Sequence, residues 1–219
     1  MRVVHSEVSQ YGERCGRSAC SAVALTLACN FFQANDDDDE PGNAIGPAFL
    51  GDGVVQGIEL YGALRGKGDG GPEHSSVEEL LEACSRGTDP RSRNVASALE
   101  PLDASPRQGI LSDSTDHPMG LEAMLSQCQA DGAVCGGGYV AVVLTKPPET
   151  VLVLLPPLGG QGPSLSMRYV LLDSHPRPRQ LAPHFPAGSN ALFHPSLASL
   201  VDSVQQIFPP TDLGGACRK

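Results

Sequence analysis

Tyr169–Val170–Leu171–Leu172–Asp173–Ser174–His175 is an apolar run that ends in an acid, a hydroxyl and an imidazole. The segment Arg168–Leu172 predicts a β-strand, because it is short, β-branched or apolar, and flanked by polar residues. Similar runs lie on either side of it. Tyr139–Leu144 and Val151–Leu155 predict two strands joined by a turn at Lys146–Pro147–Pro148–Glu149, and Asn190–Phe193 predicts a fourth. A helix is expected from about Ser196 to Ile207, with Leu197, Leu200, Val201, Val204 and Ile207 on one face.

The N-terminal half has a different character. Residues 1–14 read as extended. From Ser18 to Phe32 the apolar residues Ala19, Val23, Leu27 and Phe31 recur every four positions, with Ala22, Ala24 and Ala28 between them, which predicts a buried helix. Residues 33–73 are Gly-rich and short of periodicity, and read as a loop or insertion. Ser75 followed three residues later by Glu78 predicts a capping box at a helix start. Residues 85–115 look polar and irregular, and Gly120–Ala130 predicts another short helix. No internal repeat is visible. Helices first and an antiparallel sheet last predict an α+β fold, as a single domain over 1–219 with a helical N-terminal part packed on a C-terminal antiparallel β-sheet.

Composition narrows the function classes. The 219 residues are 40% apolar, enough for a core, and contain no run of the ~18 apolar residues needed to span a membrane. The opening MRVVHSEVSQ lacks the apolar stretch of a secretory leader. Net charge is −10, with the run Asp36–Asp37–Asp38–Asp39–Glu40, and the 15 basic residues are scattered. Phosphate recognition needs clustered Lys and Arg, so nucleic acid is not an expected partner, whereas a protein with a basic face is. Seven cysteines, at 15, 20, 29, 84, 128, 135 and 217, show no Cys-x-x-Cys spacing. No metal and no cofactor is expected, and the cysteines fit a reducing compartment, cytoplasmic or nuclear.

Two positions carry candidate chemistry. Cys15 lies where the Gly-containing segment Ser9–Gln10–Tyr11–Gly12 meets the predicted helix. Unpaired N–H groups and the positive end of a helix dipole favour thiolate, the nucleophilic form. The competing reading makes Cys15 a small residue packing a helix start, and Cys20, deeper in the predicted helix, reads as core. Asp173 and His175 are two apart on a strand, so their side chains share a face. The carboxylate can then fix one imidazole nitrogen and leave the other to take a thiol proton. Asp-x-His can equally be a solvated turn, and Asp116–His117 shows how readily such neighbours occur. Gln10 offers a side-chain amide for a developing oxyanion. His5, His74, His184 and His194 have no acid at a useful offset and read as surface or loop residues.

A resemblance joins these positions. The segment from Val3 to Ala19, including Gln10, Cys15 and Gly16, resembles the N-terminal block of the herpesvirus large-tegument-protein deubiquitinases and of the viral tegument-like deubiquitinases outside those viruses. Val170–Leu171–Leu172–Asp173–Ser174–His175 is similar to that family's apolar strand ending in Asp-Ser-His. Asn190–Ala191–Leu192–Phe193 with the following helix resembles its returning strand and last helix. Arg14 stands where the viral enzymes usually have Gln, and the Gln10-to-Cys15 spacing is shorter than theirs. The resemblance implies a papain-like cysteine protease fold with Cys15 as nucleophile, His175 as general base, Asp173 as its orienter and Gln10 as oxyanion donor. It implies a monomeric hydrolase that cleaves the isopeptide bond after the C-terminal Gly-Gly of ubiquitin or polyubiquitin. Two alternatives stay open: a protease for another ubiquitin-like modifier, and an inactive module of the same fold that binds ubiquitin.

Overall fold

The computed structural model describes residues 2–13, 16–35, 44–65, 75–102, 106–109, 111, 119–159, 168–177 and 188–208. Strand β1 (Arg2–His5) comes first, and a single 3-10 turn at Gly16–Ser18 leads into α1 (Cys20–Asn35). Helices α2 (Pro47–Arg65), α3 (Val77–Arg86), α4 (Pro90–Ala98) and α5 (Leu121–Val134) follow. The chain then forms β2 (Val140–Lys146), β3 (Glu149–Leu155), β4 (Tyr169–Asp173), β5 (Asn190–His194) and α6 (Leu197–Ile207). The five strands make one antiparallel sheet in the order β1-β5-β4-β3-β2. Mixed α+β architecture is therefore present, with every strand expected in the second half.

The sheet is covered on both faces. Successive side chains of a strand point to opposite faces. Leu152 and Leu154, Val170 and Leu172, and Ala191 and Phe193 meet the core built from α1 to α4. Their neighbours Val151, Val153 and Leu155, Leu171 and Leu192 meet the core of α5 and α6. The helical N-terminal part does pack on the sheet, and two features complete the arrangement: the N-terminus supplies an edge strand, and α5 and α6 close the second face. The reason lies in β3, whose run Val151–Leu155 is apolar at every position and must be shielded on both sides.

Residues 33–73 are not simply a loop, because α1 continues to Asn35 and α2 occupies Pro47–Arg65. Gly53 and Gly57, one turn apart, are where α2 presses on α1. A Cβ on Gly53 would come within 2.3 Å of Leu27, and one on Gly57 within 2.5 Å of the Val23 Cα. Glycines that look like loop composition are here the means by which two helix backbones approach. Residues 85–115 likewise contain α4, which Asp89 caps by accepting from the N–H groups of Arg91 and Ser92, with Pro90 in the first turn. The capping box of α3 is one residue later than expected: Ser76 accepts from Glu79 N–H, and the Glu79 carboxylate accepts from Ser76 N–H. Ser196 caps α6. Among the described residues no helix is long and apolar enough to cross a membrane. The acidic run 36–40 and the pair Asp116–His117 lie outside the described residues.

Candidate active site

The N-terminal strand delivers Gln10 to the end of the sheet. Ser6 N–H donates to Ser189 carbonyl at 2.9 Å and Ser189 N–H to Val8 carbonyl at 2.8 Å, which prolongs the β1–β5 pairing past the strand ends. Gly188 lies flat against this junction, where a Cβ would sit 1.6 Å from the Ser6 carbonyl oxygen. Gln10 N–H then donates to the Ser174 carbonyl at 3.2 Å, and Ser174 Oγ donates to Gln10 Oε1 at 2.8 Å. The Gln10 side chain is fully buried, and with Oε1 taken its Nε2 has no partner among the described residues. An unpaired buried donor is costly to keep in a fold.

Asp173 and His175 meet as expected, but through a turn rather than through strand alternation. Strand β4 ends at Asp173. Beyond it the chain bends so that Asp173 Oδ1 accepts both the His175 backbone N–H, at 2.9 Å, and His175 Nδ1–H, at 2.6 Å. A side-chain oxygen accepting from the N–H two residues on is the turn that Asp forms readily. Both side chains are essentially buried, at 1% exposure each. Tyr11, 47% exposed, sets the edge of its ring against His175 with centroids 5.5 Å apart.

The sulfur that meets His175 belongs to Cys20. Cys15 lies outside the described residues. The apolar period predicts a helix from Ser18 with Cys15 at its mouth and Cys20 in its core, whereas the 3-10 turn Gly16–Ser18 delays α1 until Cys20. The first-turn N–H groups and the dipole argument therefore apply to Cys20. Its Sγ donates to the Pro148 carbonyl oxygen in the β2–β3 turn at 3.7 Å, and the thiol lies close enough to the His175 imidazole for each to shift the other's titration. Burial pushes the Cys20 thiol up, but hydrogen bonds with His175 and Thr150 and the charge of His175 outweigh it, so its pKa falls below that of an ordinary thiol. Burial opposes the imidazolium of His175, but hydrogen bonds to Asp173 and Cys20 raise its pKa to about 9. Two buried thiols contrast with this one: burial pushes Cys29 up to about 11 and raises Cys84 as well.

Behind the pair stands Arg177. Its Nε donates to Asp173 Oδ2 at 2.7 Å and its Nη1 to Glu149 Oε2 at 2.7 Å. Asp173 is held below the ordinary carboxylate range, because the bond and charge of His175 and the charge of Arg177 overcome its burial. Arg177 and Glu149 were not legible as site residues, since their contact spans 28 positions and neither forms a local motif. No local signal marks Cys20, because the contact of Gly16 with the Gln10 carbonyl oxygen, 1.9 Å from where a Cβ would stand, sets the helix start only in the folded chain. His194 is a further correction, because it is buried in β5 rather than on the surface, and burial lowers its pKa. His5 is exposed in β1, while His74 and His184 lie outside the described residues. No protein-family model matches the chain, and no curated protein matches it in sequence.

Proposed function

We propose that the protein is a cysteine hydrolase of papain-like type acting on ubiquitin, with Cys20 as nucleophile, His175 as general base and acid, Asp173 as its orienter and Gln10 as an oxyanion donor. The observation that carries this reading is that Cys20, at the start of α1, lies beside a buried His175 whose Nδ1 is held 2.6 Å from Asp173 Oδ1, and there the thiol pKa falls while the imidazole pKa rises. Those opposite shifts favour a thiolate–imidazolium pair near neutral pH.

In that pair the thiolate attacks the carbonyl carbon of the scissile bond. The C=O electrons move to oxygen, where Gln10 Nε2–H and the first-turn N–H groups of α1 can donate to the oxyanion. The imidazolium gives its proton to the leaving amine as the C–N bond breaks, leaving a thioester on Cys20. Water, losing its proton to the now neutral His175, attacks that thioester and releases the carboxylate product, and the proton on His175 restores the ion pair.

Ubiquitin as substrate rests on the tegument-type resemblance of the blocks around Gln10 and Asp173–Ser174–His175, and an acidic chain of net charge −10 suits a basic partner face. With Cys20 in the role first given to Cys15, the Gln-to-Cys spacing grows from five positions to ten, relieving the departure from the viral spacing. A reducing, intracellular setting belongs to the same reading.

Ubiquitin bearing a C-terminal electrophile tests it by intact mass. The wild type and Cys15→Ala should form a single adduct, and Cys20→Ala none. An adduct that survives Cys20→Ala and disappears in Cys15→Ala would overturn the nucleophile. Absence of any adduct from a folded wild type would overturn ubiquitin as substrate, and labelling by another modifier's probe would name the alternative.

A further inference from the structure

We propose that Arg177 is a positioning residue of the Cys20–His175 pair, clamping Asp173 against His175 and tying the β2–β3 turn beside the sulfur, so that it sets the pH range over which the thiolate–imidazolium pair exists. This inference rests on the hydrolase reading but not on ubiquitin as substrate.

The geometry is that of a fork. A guanidinium is planar and carries its donors in fixed directions, so two carboxylates held by Nε and Nη1 cannot move independently. One of them, Asp173 Oδ2, belongs to the carboxylate that orients His175, and the other, Glu149, directly follows Pro148, whose carbonyl faces Cys20 Sγ. The guanidinium is buried, with its Cζ 5.9 Å from the ring centre of Phe208 at the end of α6. Arg177 therefore links β4, β3 and α6 behind the reacting atoms without touching them. A bland ion pair would suffice for stability, but this one shares its carboxylate with the catalytic imidazole.

The charges around His175 are few among the described residues. Cys20 approaches from α1, Asp173 from the end of β4, Tyr11 from the N-terminal turn, and Arg177 from the segment after β4, with Glu149 of β3 behind it. Asp173 and Cys20 favour the imidazolium, and the positive charge of Arg177 opposes it. Removing that positive charge should let His175 hold its proton to higher pH and should make the Cys20 thiolate harder to form. Removing the negative charge of Glu149 should act in the opposite sense and more weakly, because Glu149 touches Arg177 and is partly solvated.

The rate of Cys20 alkylation by iodoacetamide, followed by peptide mass across pH in the full chain, reads both ends of this range. In the wild type a first rise below the pH of an ordinary thiol should mark the ion pair, and a second near pH 9 the loss of the imidazolium proton. Arg177→Gln should move both rises up by about one pH unit, a tenfold change in proton affinity. Arg177→Lys keeps the charge and should restore the positions of the rises while the plateau rate stays reduced several-fold. Glu149→Gln retains a hydrogen-bond acceptor for Arg177 and should fold even where Arg177→Gln does not, and its rises should move down. Unmoved rises in a folded Arg177→Gln, or an unmoved or upward shift in Glu149→Gln, would overturn the proposal. A wild type that alkylates Cys20 in one step at ordinary thiol pH would instead sink the triad itself, and this proposal with it.

Discussion

The helices of the two layers meet their neighbours by different means. On the α5–α6 side, contact is made by large side chains: Leu200, Val201, Val204 and Ile207 form a stripe against Leu171, Leu192 and Val153. On the α1–α4 side, close contact is made by small residues, with Ala19, Ala22 and Ala28 on α1 and Gly53 and Gly57 on α2 allowing the helices to approach. The candidate nucleophile starts the small-residue layer, and the arginine behind its base reaches Phe208 at the end of the large-residue layer. The site is therefore a seam between two differently built layers, and each should fail to a different kind of substitution.

The largest effect is expected at the seam. Asp173→Asn keeps the shape but would present an amide to His175 Nδ1, favouring the wrong tautomer. Turnover of a ubiquitin C-terminal fluorogenic ester should fall by about 10²–10⁴-fold, and the melting temperature should fall too because Arg177 loses a buried carboxylate. A loss below tenfold would break the view that one carboxylate joins the layers.

In the α6 layer the damaging change is from large to small. Leu200→Ala removes a fully buried side chain and should cost about 2–5 kcal/mol in urea denaturation. In the α1–α2 contact the damaging change is from small to large. Gly57→Ala gains ~1 kcal/mol in helix propensity, yet its Cβ would meet Val23 backbone atoms at 2.5 and 2.9 Å. Overpacking of ~3 kcal/mol should win, for a net loss of about 2 kcal/mol. A stabilised Gly57→Ala protein would show that the layers do not differ as described.

The smallest effect is a slope of stability with pH. His175 has a folded pKa of about 9, above the ~6.5 of an unfolded histidine, so the native state binds more protons between those values. Its contribution is fully present below pH ~6.5 and is lost as pH rises through about 9. In the wild type the lowered pKa of Cys20 acts in the opposite sense over the same window, so the slope should be read in Cys20→Ala, where denaturation free energies should decline with pH and added His175→Gln should flatten the decline. A Cys20→Ala curve that rises across the window would contradict the pairing of His175 with Asp173.

Local patterns carry much of this molecule. The strands β2 to β5, the helix α6 and the core residues Ala19, Val23, Leu27 and Phe31 are all legible from alternation or period, because burial of one face or both imposes those patterns directly. The tripeptide Asp173–Ser174–His175 is legible as an acid–base pair for the same local reason, since both partners lie within one turn of chain. Helix α2 is not, because Gly53 and Gly57 serve a contact with a different helix and look like loop residues until Leu27 and Val23 are set beside them.

Tertiary structure alone brings Cys20 to the imidazole. Sequence places two thiols, Cys15 and Cys20, near one helix start, five positions apart. A 3-10 turn against the Gln10 carbonyl sets where α1 begins, and that contact depends on β1 pairing with a strand almost two hundred residues away. The clamp by Arg177 is likewise invisible in the chain, because Glu149, Asp173 and Phe208 come together only when three elements pack. Hydrogen-bonding groups can be read from sequence, but the partners that satisfy a buried charge are chosen by the fold.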